Sequence, residues 1–187
     1  MTVQPIREKR DIEKLKFWFA KNPKSRKAPM RDYMLFLLQC NFALRISDML
    51  RLTVGDVRGK DYVTGVTKKT GAPFRIPIHD ALRPEIDAYT KDMRDGDALF
   101  PSRKGSSPIT PTQAYRIIKE AAASVGIKYN VGTHSPRKTF GYTAYRATDN
   151  NIAVVQHRLA QKNAASTLSY IGVTDDEADR VLKGVVV

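Results

Sequence analysis

Apolar residues recur along this chain at two spacings, and those spacings divide it into elements. Ile12, Leu15 and Phe19 share one face of a helix predicted over 12–20, which Asp11 can cap, with Trp18 facing core or a partner. Residues 21–31, with Asn22-Pro23 and Pro29, read as a basic loop. The run from Met34 to Cys40 predicts a buried helix over 31–43, and Ser47 with Asp48 can cap a shorter helix through Met49-Leu50-Arg51-Leu52. The spacing then drops to two. Residues 57–78 read as β structure, in which Tyr62-Val63-Thr64, Val66-Thr67 and Phe74 to Ile78 alternate around the turn Lys68 to Ala72. This is a hairpin with lysines at its tip. Helical spacing returns afterwards: 80–90, then Thr110-Pro111 to Gly126, Ser135-Pro136 to Arg146, 151–159 and 164–170, with a loop at Gly105 to Pro108. The sum is an α+β fold, mainly helical, with one small antiparallel sheet.

A chain of 187 residues, 42% hydrophobic, can bury one core without a metal or disulfide staple. Its one cysteine, Cys40, lies in the apolar run and reads as a small buried hydrophobe, which fits a reducing cytoplasm. No apolar stretch approaches the roughly 18 residues of a membrane span, and no secretory signal opens the chain. Charge changes the picture most. The formal net charge of +13 implies a polyanionic partner, usually nucleic acid, and charge alone would also fit an RNA-binding or ribosomal protein. Residues 1–75 hold 17 Lys/Arg against 7 Asp/Glu, whereas Asp175 to Asp179 form an acidic stretch that should avoid phosphate.

Candidate chemistry narrows the choice. The chain carries no phosphate-binding glycine loop, no dinucleotide fingerprint and no HExxH, and its carboxylates are too scattered for a two-metal site. His79, His134 and His157 lack metal-ligand spacing, so no metal is expected. Phosphoryl chemistry would have to rely on cations. Arg45 sits in apolar surroundings where a charge needs a partner, and Asp48 three residues on can supply a structural pair as readily as a site. In His134-Ser135-Pro136-Arg137 a helix start, which favours phosphate, is flanked by a histidine and carries an arginine in its first turn.

Taken together, Leu44-Arg45-Ile46-Ser47-Asp48, the hairpin Lys69-Thr70-Gly71, His134-x-x-Arg137-Lys138-Thr139-Phe140 and Tyr170-Ile171-Gly172 resemble the signature of the tyrosine recombinases, the phage-integrase family, in the family's order. The resemblance covers about residues 5–175 and implies that family's catalytic fold. It also implies a DNA strand-cleaving and rejoining enzyme that needs no cofactor, metal or ATP. Tyr170 would attack phosphorus and form a 3′-phosphotyrosyl link, while Arg45 and Arg137 hold the non-bridging oxygens with forked, permanently charged guanidinium groups. Lys69 would protonate the leaving 5′-oxygen and His134 would assist proton transfer at the tyrosine. Asp48 stands where many relatives have Glu.

Gln161 departs from the pattern: nine residues before the tyrosine the family usually has His or Trp. Glutamine can hydrogen-bond phosphate but cannot carry a proton, which puts the rate in doubt and leaves a catalytically weakened DNA-binding relative as the rival reading. A type IB topoisomerase shares similar chemistry, though this chain is short for one. Lys24, Arg26, Lys27, Lys68, Arg75, Arg103, Lys104 and Lys138 are the candidate contacts to double-stranded DNA. The whole of 1–187 is expected to be one catalytic domain in a prokaryotic or phage-encoded cytoplasmic protein that self-associates as a dimer or tetramer on DNA. In it, 1–30 form a basic helix and loop, too short for the additional helical domain of many relatives. Residues 174–187 are expected to form a tail that docks on a neighbouring subunit, as relatives' tails do.

Overall fold

The computed structural model describes residues 2–21, 28–173 and 183. Elements named below by range are α1 (Lys9–Lys21), α2 (Pro29–Phe42), α3 (Ile46–Met49), β1 (Tyr62–Val66), β2 (Pro73–Pro77), α4 (Arg83–Thr90), α5 (Pro111–Ser124), α6 (Ser135–Ala147), α7 (Ile152–Leu159) and α8 (Ala164–Ile171). Short 3₁₀ turns at Val54–Asp56 and Asp80–Leu82 flank the hairpin. The basic candidates Lys24, Arg26 and Lys27, and the tail over 174–187 apart from Lys183, lie outside the described residues.

Helix α2 is apolar on nearly every side, as a helix central to the fold must be, and its faces meet different cores. Met34, Leu35, Leu38 and Phe42 pack with Met49, Val63, Ile76, Leu99 and Phe100 into the largest one. Phe36 of the same helix stacks on Phe19 of α1, centroids 5.2 Å apart, in a second core shared with Ile118 and Ala121 of α5. Trp18 meets Phe19 edge-on at 5.2 Å and stays partly buried in that cluster. Cys40 also borders it, and desolvation pushes its thiol up to about 12, which leaves it protonated and inert. A third, small core joins Ala43 to Val155, Leu159 and Ile171, and so carries α7 and α8.

The two strands pair antiparallel with Tyr62 opposite Pro77 and Val66 opposite Pro73, and Val63 and Ile76 turn inward. The hairpin is therefore where the alternation put it, but 57–61 form turns rather than strand. Other differences lie at helix ends. Helix α1 starts at Lys9, so Asp11 sits inside its first turn and accepts a hydrogen bond from the Tyr129 hydroxyl at 3.3 Å. Pro29 and Arg31 belong to α2, because proline is tolerated in a first turn where no N–H is needed. Neither Ser47 nor Ser135 caps a helix; the caps are Arg45 and His134, without side-chain capping bonds, and Ser135 Oγ accepts from Gly132 N–H instead. Thr110 does cap α5, in a capping box with Gln113, and Asn151 and Asn163 cap α7 and α8.

An N-terminal strap ties these helices together. Gln4 N–H donates to Asn130 O at 2.8 Å, buried Ile6 donates its N–H to Thr139 Oγ1 of α6 at 2.8 Å, and Arg7 reaches Gly172 O at the end of α8 at 2.5 Å. Helix α8 approaches α6 closely because Gly141 has no side chain: a Cβ there would lie 2.7 Å from Ile171 Cγ2 and 3.1 Å from Leu159 Cδ1. Gly141→Ala should therefore overpack this junction and cost about 1–3 kcal/mol in urea unfolding. Unchanged stability would show that α8 can move away freely.

Candidate active site

Helix α6 delivers three cationic or basic groups to one place, and the turn after α2 delivers a fourth. Arg137, only 5% exposed, donates from Nη1 to Ala43 O and from Nη2 to Leu159 O at 2.7 Å. Its guanidinium thus bridges the α2–α3 turn and the α7–α8 turn. Both turns are made by alanines in the left-handed region, Ala43 at φ 55° and Ala160 at φ 47°. That conformation costs a non-glycine residue about 1–2 kcal/mol. It orients the two carbonyls that Arg137 accepts as partners.

Tyr170, in the last turn of α8, faces this group. Its hydroxyl lies 3.3 Å from His134 Nδ1, and the Arg137 carbon Cζ lies 6.0 Å from the ring centroid. Burial raises the phenol's pKa, and the charges of Arg137 and Arg45 pull it back only in part. Burial, then the charges of Arg137, Lys138 and Arg45, lower that of His134. A protonated phenol therefore meets a neutral imidazole at neutral pH, the pairing a base-assisted nucleophile requires.

Arg45, half-buried as the residue before α3, has no carboxylate partner among the described residues: the expected pair with Asp48 does not form. The Asp48 carboxylate instead accepts Lys68 N–H at 2.7 Å and leaves Oδ2 buried without a bond, so it secures the hairpin tip. Lys69 is exposed at that tip. Gln161 is half-buried just before α8, and its side chain makes no hydrogen bond to His134, Arg137 or Tyr170 among the described residues. Lys68 and Arg75 are exposed on the hairpin, with Arg75 over the Tyr62 ring at 3.3 Å, and Arg103 and Lys104 are exposed in the Pro101–Pro108 loop. Lys138, the last of the candidate DNA contacts, differs from these exposed cations in its surroundings. It is 6% exposed and its ammonium lies 5.0 Å from the Tyr170 ring centroid, because its position on α6 turns it inward beneath α8.

The sequence reading missed Arg158. From the last turn of α7 it donates to Arg75 O at 3.1 Å, tying the hairpin to α7, and burial followed by the charge of Arg137 lowers its pKa to about 10. A charged residue immediately before the core position Leu159 was the available signal. With Arg45, Arg75 and Arg137 it lines a cleft of about 240 Å³. Among the described residues, no ion pair neutralises Arg45, Arg137, Lys138 or Arg158. No group of three or more His, Cys, Asp or Glu is arranged to hold a metal there either. Converging unpaired cations around a phenol suit an oxyanion whose charge grows during attack.

Two outcomes test this geometry. Ala160→Gly should stabilise the protein by about 1 kcal/mol in urea unfolding by relieving the left-handed turn. His134 should titrate below 6.5 in an NMR pH series. Its lowered folded pKa means that it costs no stability above pH 6.5 and progressively destabilises the fold as pH falls below it.

The comparisons with known proteins agree with one another. Residues 11–177 match the model of the phage integrase family. The chain is 42% identical over 174 residues to the probable integrase/recombinase YoeC of Bacillus subtilis (strain 168), covering 93% of this chain and 92% of that protein. In fold it is similar to XerH site-specific recombinase bound to palindromic difH substrate in a post-cleavage complex, with TM-score 0.74, 17% identity, and coverage of 97% of this chain and 53% of that one. It is also similar to a lambda integrase tetramer bound to a Holliday junction, with TM-score 0.66, 16% identity, and coverage of 91% and 48%. The chain thus spans about half the length of these two solved chains. Among the described residues, no helix is long and apolar enough to cross a membrane.

Proposed function

The chain belongs to the phage integrase family, and on that premise we propose that it is a site-specific tyrosine recombinase that cuts and rejoins DNA through Tyr170. The observation that carries this reading is the convergence of unpaired Arg45 and Arg137 on a phenol hydroxyl already 3.3 Å from a neutral histidine. In the first step Tyr170 Oη bonds to phosphorus as the bond to the 5′-oxygen breaks. The phenol proton passes to His134 Nδ1, and the leaving 5′-oxygen takes a proton from Lys69. The products are a 3′-phosphotyrosyl link and a 5′-hydroxyl, and reversal with a second strand's hydroxyl rejoins the DNA. Arg45 and Arg137 hold the non-bridging oxygens, and losing one such donor commonly costs about 10²–10³ in rate.

The scheme draws its positive charge from side chains and conserves bond energy in the covalent link, so it calls for neither a metal ion nor ATP. Lys68, Arg75, Arg103 and Lys104 are exposed where they can bind the phosphates of double-stranded DNA. Assembly as a dimer or tetramer on DNA, with the 174–187 tail docking on a neighbour, completes the reading, and the lambda integrase tetramer on a junction supports it. The setting is a prokaryotic cytoplasm, with the gene on a chromosome, phage or mobile element. Gln161 favours a second reading, a DNA-binding relative with weakened catalysis.

Nicked duplexes from the ends of the protein's own genetic element, incubated with it in EDTA, decide between the two. Wild type should give an SDS-resistant protein–DNA adduct that Tyr170→Phe abolishes, and Gln161→His should retain or raise its yield. Tight, salt-sensitive binding without any adduct would favour the non-catalytic reading, or a need for an additional clamp domain.

A further inference from the structure

Lys138 is a buried charge that the scheme above leaves without a task. Lysines are almost never buried unless paired. Yet this one, at 6% exposure, has no carboxylate within ion-pair distance among the described residues. What it does face is an aromatic ring, with Nζ 5.0 Å from the centroid of Tyr170. A cation over a phenol ring is attracted to the π-face, and the attraction strengthens when the pair is desolvated. It strengthens again when the phenol gives up its proton, because an opposite charge within about 4–6 Å favours the ionised form.

We infer that Lys138 is a positioning residue for Tyr170, an ammonium set beneath the ring that fixes its orientation and favours its phenolate, and is no contact to DNA. The inference rests on the reading of Tyr170 as nucleophile. The groups facing Tyr170 are His134, Arg137 and Lys138 from α6 and Arg45 from the start of α3. Burial lowers the pKa of the Lys138 ammonium, and the charge of Arg7 in the N-terminal strap adds to that effect. Every charged neighbour in that set is cationic. Burial works against ionisation of the phenol and the charges of Arg137 and Arg45 work for it, while Lys138 adds its ammonium at 5.0 Å from the ring centroid.

Placement supports a division of labour along one helix turn. Arg137 is committed to Ala43 O and Leu159 O and leaves part of its fork for an oxyanion, whereas Lys138, one residue on, reaches the ring and not the cleft. Thr139 then anchors the strap through Ile6. Three consecutive residues therefore set the anion, the nucleophile and the N-terminal segment in register.

The test uses the full chain as wild type, Lys138→Met, which keeps the apolar stem, and Lys138→Arg, which keeps the charge. Phenol ionisation is read as the ultraviolet difference between each protein and the same protein carrying Tyr170→Phe. In Lys138→Met the Tyr170 phenol should titrate about one unit higher, and Lys138→Arg should restore the wild-type titration. On nicked duplex, Lys138→Met should form adduct about tenfold more slowly at pH 7, one pKa unit being a factor of ten, and recover as pH rises. Its affinity for duplex DNA and the salt dependence of that affinity should match wild type. A phenol titration unmoved in Lys138→Met, or a weaker and less salt-dependent affinity, would overturn the inference. If wild type forms no adduct, the cleavage reading fails by itself, and the phenol titration still decides the role of Lys138.

Discussion

The site depends on one guanidinium. Arg137 ends on two carbonyls, Ala43 O and Leu159 O, that belong to turns far apart in sequence. Each carbonyl is presented by a left-handed alanine turn, so the backbone is held in a costly conformation and the arginine's hydrogen bonds offset part of that cost. Removing the guanidinium would leave two buried carbonyls unpaired and both turns unsupported. Because α8 follows the second turn directly, the same bridge sets where Tyr170 stands relative to Arg137 itself. Structural anchor and anion-binding group are therefore one side chain.

Electrostatics give this arrangement its direction. Most buried charges in proteins are paired, and here several cations are not. Arg31 binds Asp32 at 2.7 Å, and Arg83 binds Asp61 at 2.7 Å, so the fold pairs charges readily elsewhere. Around Tyr170 the described residues supply no ion-paired carboxylate: Asp48 is turned to the hairpin backbone, and Arg45 has no ion pair among them. Such a site is incomplete without an anion. The small third core that supports α7 and α8 contributes little burial, and the strap through Ile6 and Arg7 adds the anchoring that this core lacks.

Much of this was legible in the chain. The hairpin, α2 and the Thr110-Pro111 opening of α5 follow from periodicity and from the ability of a short polar side chain to satisfy free N–H groups. Local reading failed in two ways. Asp48 has good capping chemistry, but the fold brings Lys68 N–H of the hairpin to it and that bond formed instead, whereas Ser135 accepts from Gly132 N–H in the turn just before α6. Lys138 reads as a basic surface residue beside Arg137, and only the packing of α8 on Gly141 turns it under a ring.

The sequence by itself determined the identity and order of the chemical groups: a phenol, a histidine, two arginines and a lysine-tipped hairpin, in an order that marks a family. Side-chain chemistry and element periodicity are local properties, and the chain states them directly. Distance, burial and charge balance are not local. That His134 reaches Tyr170, that Asp48 abandons Arg45, that Arg158 enters the cleft and that Lys138 is buried were decided by the tertiary structure, because each depends on which segments, distant in sequence, meet in the folded chain.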